Sequence, residues 1–337
     1  MALFARAKNP YYDPQKYHHT PKGFRNPPGS PQGRILSGEM AREAAHFLGE
    51  MRRAVRDPYP FPDDHVIPAD AALAAWVAQR EPYKLMWLGH ACFLLSFGGI
   101  HVLTDPFLTE YASPVPMATT RRLVPAAVSI DQLPPVHVIL LSHNHYDHMD
   151  APALIQLAKR FPLAQVVVPL GLREKMLRAG FTRVHEGDWW DVFDVGGISA
   201  RLVPAVHTSR RGLGDTNRTL WCGFAFGDGA RNVYFAGDTA YGAVFQEIGA
   251  LCGPFSLGLV PIGAYEPRML MRSVHCTPEE AVRIGQDIRA SHLVGMHWGT
   301  IRLTLEPMLE PKTRFLAGPL QPARSVMRVG ETMILPE

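Results

Sequence analysis

Long apolar runs are missing from this chain of 337 residues. No stretch of the ~18 residues that would cross a bilayer is apolar throughout. Met1-Ala2-Leu3-Phe4-Ala5-Arg6 lacks the apolar core of a secretory signal. Cysteine is scarce: Cys92, Cys222, Cys252 and Cys276 form no Cys-x-x-Cys pair and suit neither a zinc knuckle nor a disulfide framework. Free thiols in a reducing compartment are expected. No sign of charge dominates, since 34 Lys and Arg face 31 Asp and Glu for a formal net charge of +3. That balance, with no basic cluster interleaved with aromatics, removes nucleic acid from the expected partners. Internal repeats and low-complexity tracts are absent too. These absences leave a cytoplasmic globular protein, with peripheral membrane contact and oligomeric state open.

Histidine is plentiful, at 15 residues, and imidazole is a common metal ligand near neutral pH. The histidines are not spread evenly. His143, His145, Asp147 and His148 fall within six positions, just past the apolar run Val136 to Leu141, which reads as a buried strand. In an extended loop alternate side chains point the same way. His143 and His145 then chelate one ion, while the adjacent Asp147 and His148 point apart and serve a second.

Zinc usually takes four ligands, so each ion needs more. His207 follows the run Arg201 to Val206, Asp238 follows Val233 to Gly237, and His297 follows Leu293 to Met296. Each thus stands at a strand end, where a rigid scaffold displays chemistry. The expected sets are His143, His145 and His207 for one zinc, Asp147, His148 and His297 for the other, with Asp238 bridging. Two zinc ions per chain are expected. His101, His137 and His185 lack such context and read as structural or surface residues. Cys276, next to His275, is more simply a buried thiol.

Around this core, residues 1–80 read as an N-terminal extension packed on a domain of residues 81–337. From Asn9 to about Arg34 the chain is rich in Pro, Gly, Tyr and His and reads as an extended arm. Ile35–Val55 reads as an amphipathic helix with an apolar stripe and basic neighbours, suited to its own core or to a membrane surface. Ala69–Gln79 reads as a second helix. Strands are expected at Leu85–Leu88, Cys92–Phe97, His101–Thr104, Val136–Leu141, Val166–Val168, Ala200–Val203, Leu220–Phe226, Asn232–Phe235 and Leu257–Pro261. Helices are expected at Ala151–Arg160, Leu172–Ala179 and Pro278–Ile288. Such a mixture implies layered α/β packing.

His143-Asn144-His145-Tyr146-Asp147-His148 resembles the H-x-H-x-D-H signature of metallo-β-lactamase-fold hydrolases. Trp87-Leu88-Gly89-His90-Ala91, Leu103-Thr104-Asp105-Pro106, Gly187-Asp188-Trp189-Trp190, Asp215-Thr216-Asn217, Phe235-Ala236-Gly237-Asp238-Thr239 and His297-Trp298-Gly299-Thr300 are similar to the N-acylphosphatidylethanolamine-hydrolysing phospholipase D branch. Ascorbate-6-phosphate lactonase is a more distant relative. The resemblance covers roughly Glu81 to the C-terminus, and the arm Tyr11–Asn26 is not matched to that branch. It implies an αβ/βα four-layer sandwich and zinc ligands at His143, His145, Asp147, His148, His207, Asp238 and His297. His145, where diiron relatives carry Glu, favours zinc hydrolysis over oxygen chemistry.

The resemblance also matches His275 to a histidine of the phospholipase branch, placed to contact a phosphoryl oxygen or protonate a leaving group. His275 lies just before a helix start built from Thr277, Pro278 and Glu280, a capping box. His90 is family-like too, with a supporting or core role. The expected activity is a binuclear zinc phosphodiesterase acting on a phospholipid or small phosphodiester. Asp147 and His275 are the catalytic candidates. The alternatives are a lactonase or ester hydrolase, and a membrane-associated regulatory or binding protein that keeps the fold.

Overall fold

The computed structural model describes residues 8–32, 38–55, 59, 61–317 and 321–337. Two seven-stranded sheets carry the molecule. The first runs, in spatial order, β16 (Thr332–Ile334), β3 (Tyr83–Gly89), β4 (Cys92–Phe97), β5 (Ile100–Thr104), β6 (Val138–Leu140), β7 (Gln165–Pro169) and β8 (Arg183–Gly187). The second runs β15 (Ala323–Ser325), β14 (Ala290–Met296), β13 (Phe255–Pro261), β12 (Asn232–Phe235), β11 (Gly223–Gly227), β10 (Ile198–Val203) and β9 (Val192–Val195). Each sheet joins an antiparallel meander to a block of four parallel strands. A two-stranded ribbon, β1 (His19–Thr20) with β2 (Gly23–Phe24), lies in the arm.

The apolar faces of the two sheets share one core, with Phe97 of the first meeting Phe226 of the second at 5.8 Å between ring centroids. Parallel strands covered on both faces should be apolar throughout. Val138, Ile139 and Leu140 of β6 and Val166, Val167 and Val168 of β7 are all fully buried. Helices cover the outer sides. α3 (Ala151–Arg160) and α4 (Arg173–Ala179) pack together beside the first sheet. α7 (Pro278–Asp287) lies on β13 and β14, with α5 (Val244–Cys252) and α8 (Glu310–Ala317) against it. This is the layered metallo-β-lactamase fold expected from the sequence.

Several expected elements shift at their ends for physical reasons. The run Leu220–Phe226 enters its sheet only at Gly223. Before that, Leu220 N donates to Leu170 O and Cys222 N to Ser142 O, so this stretch bonds across to the first sheet. β8 and β9 were not expected. Both are edge strands with mostly exposed or half-buried residues, so their apolar alternation is faint. α5, α8 and the C-terminal strands were also unanticipated. α1 (Gly38–Ala54) and α2 (Ala69–Ala78) match the two N-terminal helices, although Ile35 and Leu36 lie outside the described residues. Only Met51 of α1 is buried, and the helix rests on the short α6 (Arg268–Met271). No described helix is long and apolar enough to cross a membrane.

Strand ends make the site. Asp105 follows β5, His143 to His148 follow β6, His207 follows β10, Asp238 follows β12 and His297 follows β14. α3 begins immediately after the histidine-rich loop, capped by Asp150, whose Oδ1 accepts from Ala153 N. Its other oxygen accepts from Leu108 N, Thr109 N and Thr109 Oγ1, which pins the segment after β5 beside that loop.

Candidate metal centre

Six histidines and two aspartates converge in two overlapping groups. His143, His145, His207 and Asp238 form one, and His90, Asp147, His148 and His297 the other, with donor atoms in each within 4.8 Å of one another. Asp238 reaches both. Its Oδ2 lies 3.8 Å from His143 Nε2, 3.7 Å from His207 Nε2 and 3.1 Å from His148 Nε2, while Oδ1 lies 3.1 Å from His297 Nε2. Asp147 Oδ2 lies 3.4 Å from both His148 Nε2 and His297 Nε2. The seven expected ligands are therefore together.

One expectation fails in detail. Asp147 and His148 do not point apart. The loop is not extended there, because His148 N and Met149 N both donate to His145 O and wind it into a turn. That turn brings both side chains into one group.

Proton positions decide what the centre can hold. His207 Nδ1 lies 2.7 Å from Val274 O. A carbonyl only accepts, so Nδ1 carries the hydrogen and Nε2 is bare. His148 Nδ1 donates to Asp105 Oδ2 at 2.6 Å, turning Nε2 inward. Ser142 donates its hydroxyl to Asp105 Oδ2 and its N–H to Asp105 Oδ1, so its Oγ accepts from His143 Nδ1 at 2.9 Å. His143 Nε2 is then bare as well. These bare nitrogens face His145 Nδ1, at 2.8 Å from His143 Nε2 and 3.2 Å from His207 Nε2. Asp238 Oδ1, though buried, has no hydrogen-bond partner. Lone pairs and a carboxylate facing one another in a buried space fit a cation, and their outward hydrogen bonds are the usual support of metal-binding histidines.

Electrostatics agree. Burial pushes His143, His145 and His207 below the ordinary imidazole range, which keeps them neutral. Burial also acts against charge on His297, but Asp238 and Asp147 outweigh it and raise it to about 9. His148 is raised by the carboxylates of Asp238, Asp147 and Asp105 against the same burial. Asp147 and Asp238 sit well below the usual carboxylate range, held there by the facing histidines despite burial. The aspartates thus draw positive charge, which His148 and His297 supply here and which an ion would supply in their place.

His275 is also here. Its ring is 5.1 Å from that of His207 and 5.4 Å from that of His297, and burial lowers it to about 4. The capping box after it is present, with Thr277 Oγ1 accepting from Glu280 N and Glu280 accepting from Thr277 N. Arg268 grips Glu280 and donates to His275 O at 2.7 Å, which ties α6 to α7 and steadies that histidine. Cys276 is buried, its Sγ 3.3 Å from Pro261 O. The tryptophans near glycine are packing residues: Trp298 stacks on Trp87 at 5.6 Å, and Trp189 on His18 at 4.2 Å.

Sequence reasoning left several contributors without a role. Asp105 and Ser142 orient two histidines. Asn26 of the arm accepts from His207 N at 2.9 Å and from Trp221 Nε1 at 3.0 Å. Arg211 covers the Tyr146 ring at 3.8 Å and donates to Asn144 O and Met149 O, clamping the histidine-rich loop from the far side. Only the Leu103–Pro106 match hinted at Asp105. Nothing local in the sequence marks Asn26 or Arg211.

The sequence profile described as Beta-lactamase superfamily domain matches residues 101–298. The chain belongs to the metallo-β-lactamase superfamily. It is 34% identical over 310 residues to "N-acyl-phosphatidylethanolamine-hydrolyzing phospholipase D 1" of Caenorhabditis elegans, covering 89% of this chain and 85% of that one. It is 30% identical over 233 residues to a metal-dependent hydrolase of Pyrobaculum aerophilum, covering 68% and 91%. Among solved structures, an isothiocyanate hydrolase from Delia radicum gut bacteria superposes with a TM-score of 0.61 at 21% identity, covering 75% of this chain and 99% of that one. This superfamily member is a metal-dependent hydrolase. The worm protein's coverage corrects one expectation, because the likeness extends ahead of Glu81 into the N-terminal region.

Proposed function

We propose that this metallo-β-lactamase-fold hydrolase is a binuclear zinc phosphodiesterase of the phospholipase D type, acting on an N-acylated phospholipid. The observation that carries the reading is the set of bare inward nitrogens around a doubly placed Asp238. The worm relative's name points the substrate toward phospholipid. His143, His145 and His207 would hold one ion, Asp147, His148 and His297 the other, and Asp238 both. Zinc, when bound, supplies the Lewis acidity that makes a water nucleophilic near neutral pH and offsets charge on a phosphoryl group. Asp147 orients the attacking water. His275, neutral at working pH, donates a hydrogen bond to a phosphoryl oxygen or to the departing alkoxide.

A cavity of about 650 Å³ lies between α1 and the segment 108–126, and although no metal-centre donor lines it, its size suits a lipid better than a small sugar lactone. Met51 of α1, Val55 just after it, and Leu108, Leu123 and Val124 give it apolar walls, and Arg121, Arg122 and Arg302 give it cationic ones. An amphipathic anion suits both kinds of wall. Peripheral contact with a membrane would let such a substrate reach it.

The test pairs metal analysis with a side-by-side assay. Purified protein never exposed to chelator should hold about two zinc ions per chain and should release phosphatidic acid from N-acylphosphatidylethanolamine in mixed micelles. Turnover of lactones with none of the phospholipid would overturn the substrate reading. Turnover of neither, with both ions present, would favour a binding role.

A further inference from the structure

We propose that His90 is a positioning residue, which fixes the Asp147 carboxylate through a hydrogen bond and so shapes the second ion's site; this rests on the metal reading above. His90 stands outside the seven expected ligands. Its ring is buried at 1% exposure, yet it sits in the second donor group, with Nε2 2.8 Å from Asp147 Oδ2. A carboxylate only accepts, so His90 Nε2 carries the hydrogen. That nitrogen cannot serve an ion at the same time. Burial lowers His90 to about 3, against the pull of Asp147, so the ring stays neutral.

The chain goes to unusual lengths to put this ring there. The turn between β3 and β4 is made by Gly89 at φ 105° and His90 at φ 59°. The left-handed conformation costs a side-chain-bearing residue roughly 1–2 kcal/mol. His297 is left-handed too, at φ 62°, and its N–H donates to His90 O at 3.1 Å. The two histidines come from different sheets, and their ring centroids are 4.0 Å apart. His90 N donates to Thr300 Oγ1 at 2.9 Å, and His90 O also accepts from Trp87 Nε1 at 2.9 Å. The φ of 105° at Gly89 would strain any residue with a side chain, and a Cβ there would also approach Arg122 Nη2 to 2.6 Å, so glycine is favoured before the histidine. The turn is thereby bolted to the end of β14, and its side chain reaches the aspartate after β6.

His90 is the one side chain outside the seven that donates to Asp147 among the described residues. Without it, the carboxylate is held only by the groups with which it would share an ion, and it is free to turn away from them. Supporting partners of this kind are worth about 10- to 100-fold in metal affinity.

The test compares His90→Gln, whose amide can reach Asp147, with His90→Asn, which is at ease in left-handed backbone but falls short by a methylene. His90→Phe, with ring bulk and no N–H, is the second deletion. Metal-depleted proteins are titrated with cobalt(II), followed by absorbance and by elemental analysis, and kcat and KM are measured on the zinc forms. The expected result is a first ion bound as in wild type and a second bound about 10- to 100-fold more weakly in the Asn and Phe variants. kcat should fall with KM little changed, and Gln should recover most of both. Wild-type affinity for both ions in the Asn and Phe variants overturns the inference. So does equal weakening of the two ions, or a Gln variant no better than Asn. A wild-type chain that binds no cobalt overturns the metal reading itself and is thereby distinguished.

Discussion

Two buried clusters in this chain have the same ingredients and opposite outcomes. At the metal centre, histidines and aspartates face one another. Under the arm, His18 and His19 face Asp188 within the same donor-atom spacing. The difference is where the protons are. Asp188 receives His18 Nε2 at 2.7 Å, His19 Nε2 at 2.9 Å, Lys16 Nζ at 2.6 Å and Trp189 N at 2.8 Å. Asp13 N donates to His19 Nδ1 at 3.1 Å, so the His19 hydrogen is on Nε2 and points at the carboxylate. No bare nitrogen faces inward, and a lysine already brings the positive charge. The arm cluster is a hydrogen-bonded latch in which His18 Nδ1 alone is left without a partner. At the metal centre Ser142 Oγ and Val274 O take the ring hydrogens of His143 and His207 outward and leave lone pairs inside, while Asp105 turns His148 Nε2 inward. Residue type is therefore a weak guide to a metal site, whereas hydrogen-bond direction is a strong one.

The sharpest way to separate the two clusters is to remove one aspartate from each. Asp238→Ala should lose more than ~10²-fold in turnover and most of the bound metal, since on the proposed reading one side chain would serve both ions. Elemental analysis with an activity assay checks this. Retention of two ions would break the assignment of Asp238 as the bridge.

Asp188→Ala should leave the zinc content at the wild-type value and cost stability instead, about 3 kcal/mol, because two buried histidines and Lys16 lose their acceptor. The loss should depend on pH. Burial alone would raise the Asp188 carboxyl, but His18 and Lys16 outweigh it and hold it well below the usual carboxylate range. A depressed folded-state value stabilises above the unfolded value of about 3.9 and is lost as pH falls below it. Urea melts of wild type and variant should therefore differ most near neutrality and converge below about pH 4. A gap that widens in acid would contradict the latch.

Asn26→Ala probes the place where the two regions meet and should have the smallest effect. His207 N loses its acceptor, but Trp221 Nε1 keeps Ala205 O at 3.0 Å. A cost of about 1 kcal/mol is expected, read by thermal melting, with zinc retained. Selective loss of one ion would show that the arm helps to place His207.

Legibility in the sequence followed the range of each interaction. Helix starts are local, so the capping box at Thr277 and the limits of α3 could be read directly. β3, β4 and β12 were evident because their side chains are buried by their own runs. β8 and β9 were not, since an edge strand with one wet face carries little periodic signal. The His143–His148 ligands were visible through spacing alone, and His207, Asp238 and His297 through their position after strands. His90 was visible only as part of a motif. Its bond to Asp147 crosses 57 positions. The arm, read from sequence only as an extended segment on the domain, is held by Asp188 and reaches His207 through Asn26.

The sequence by itself determined the candidate donor set and the fold class, because donor spacing and strand periodicity are properties of neighbouring residues. Only the tertiary structure decided which cluster could hold metal and which was a latch. Hydrogen-bond direction depends on the partner behind each ring, and at His148 and His207 that partner comes from a distant part of the chain.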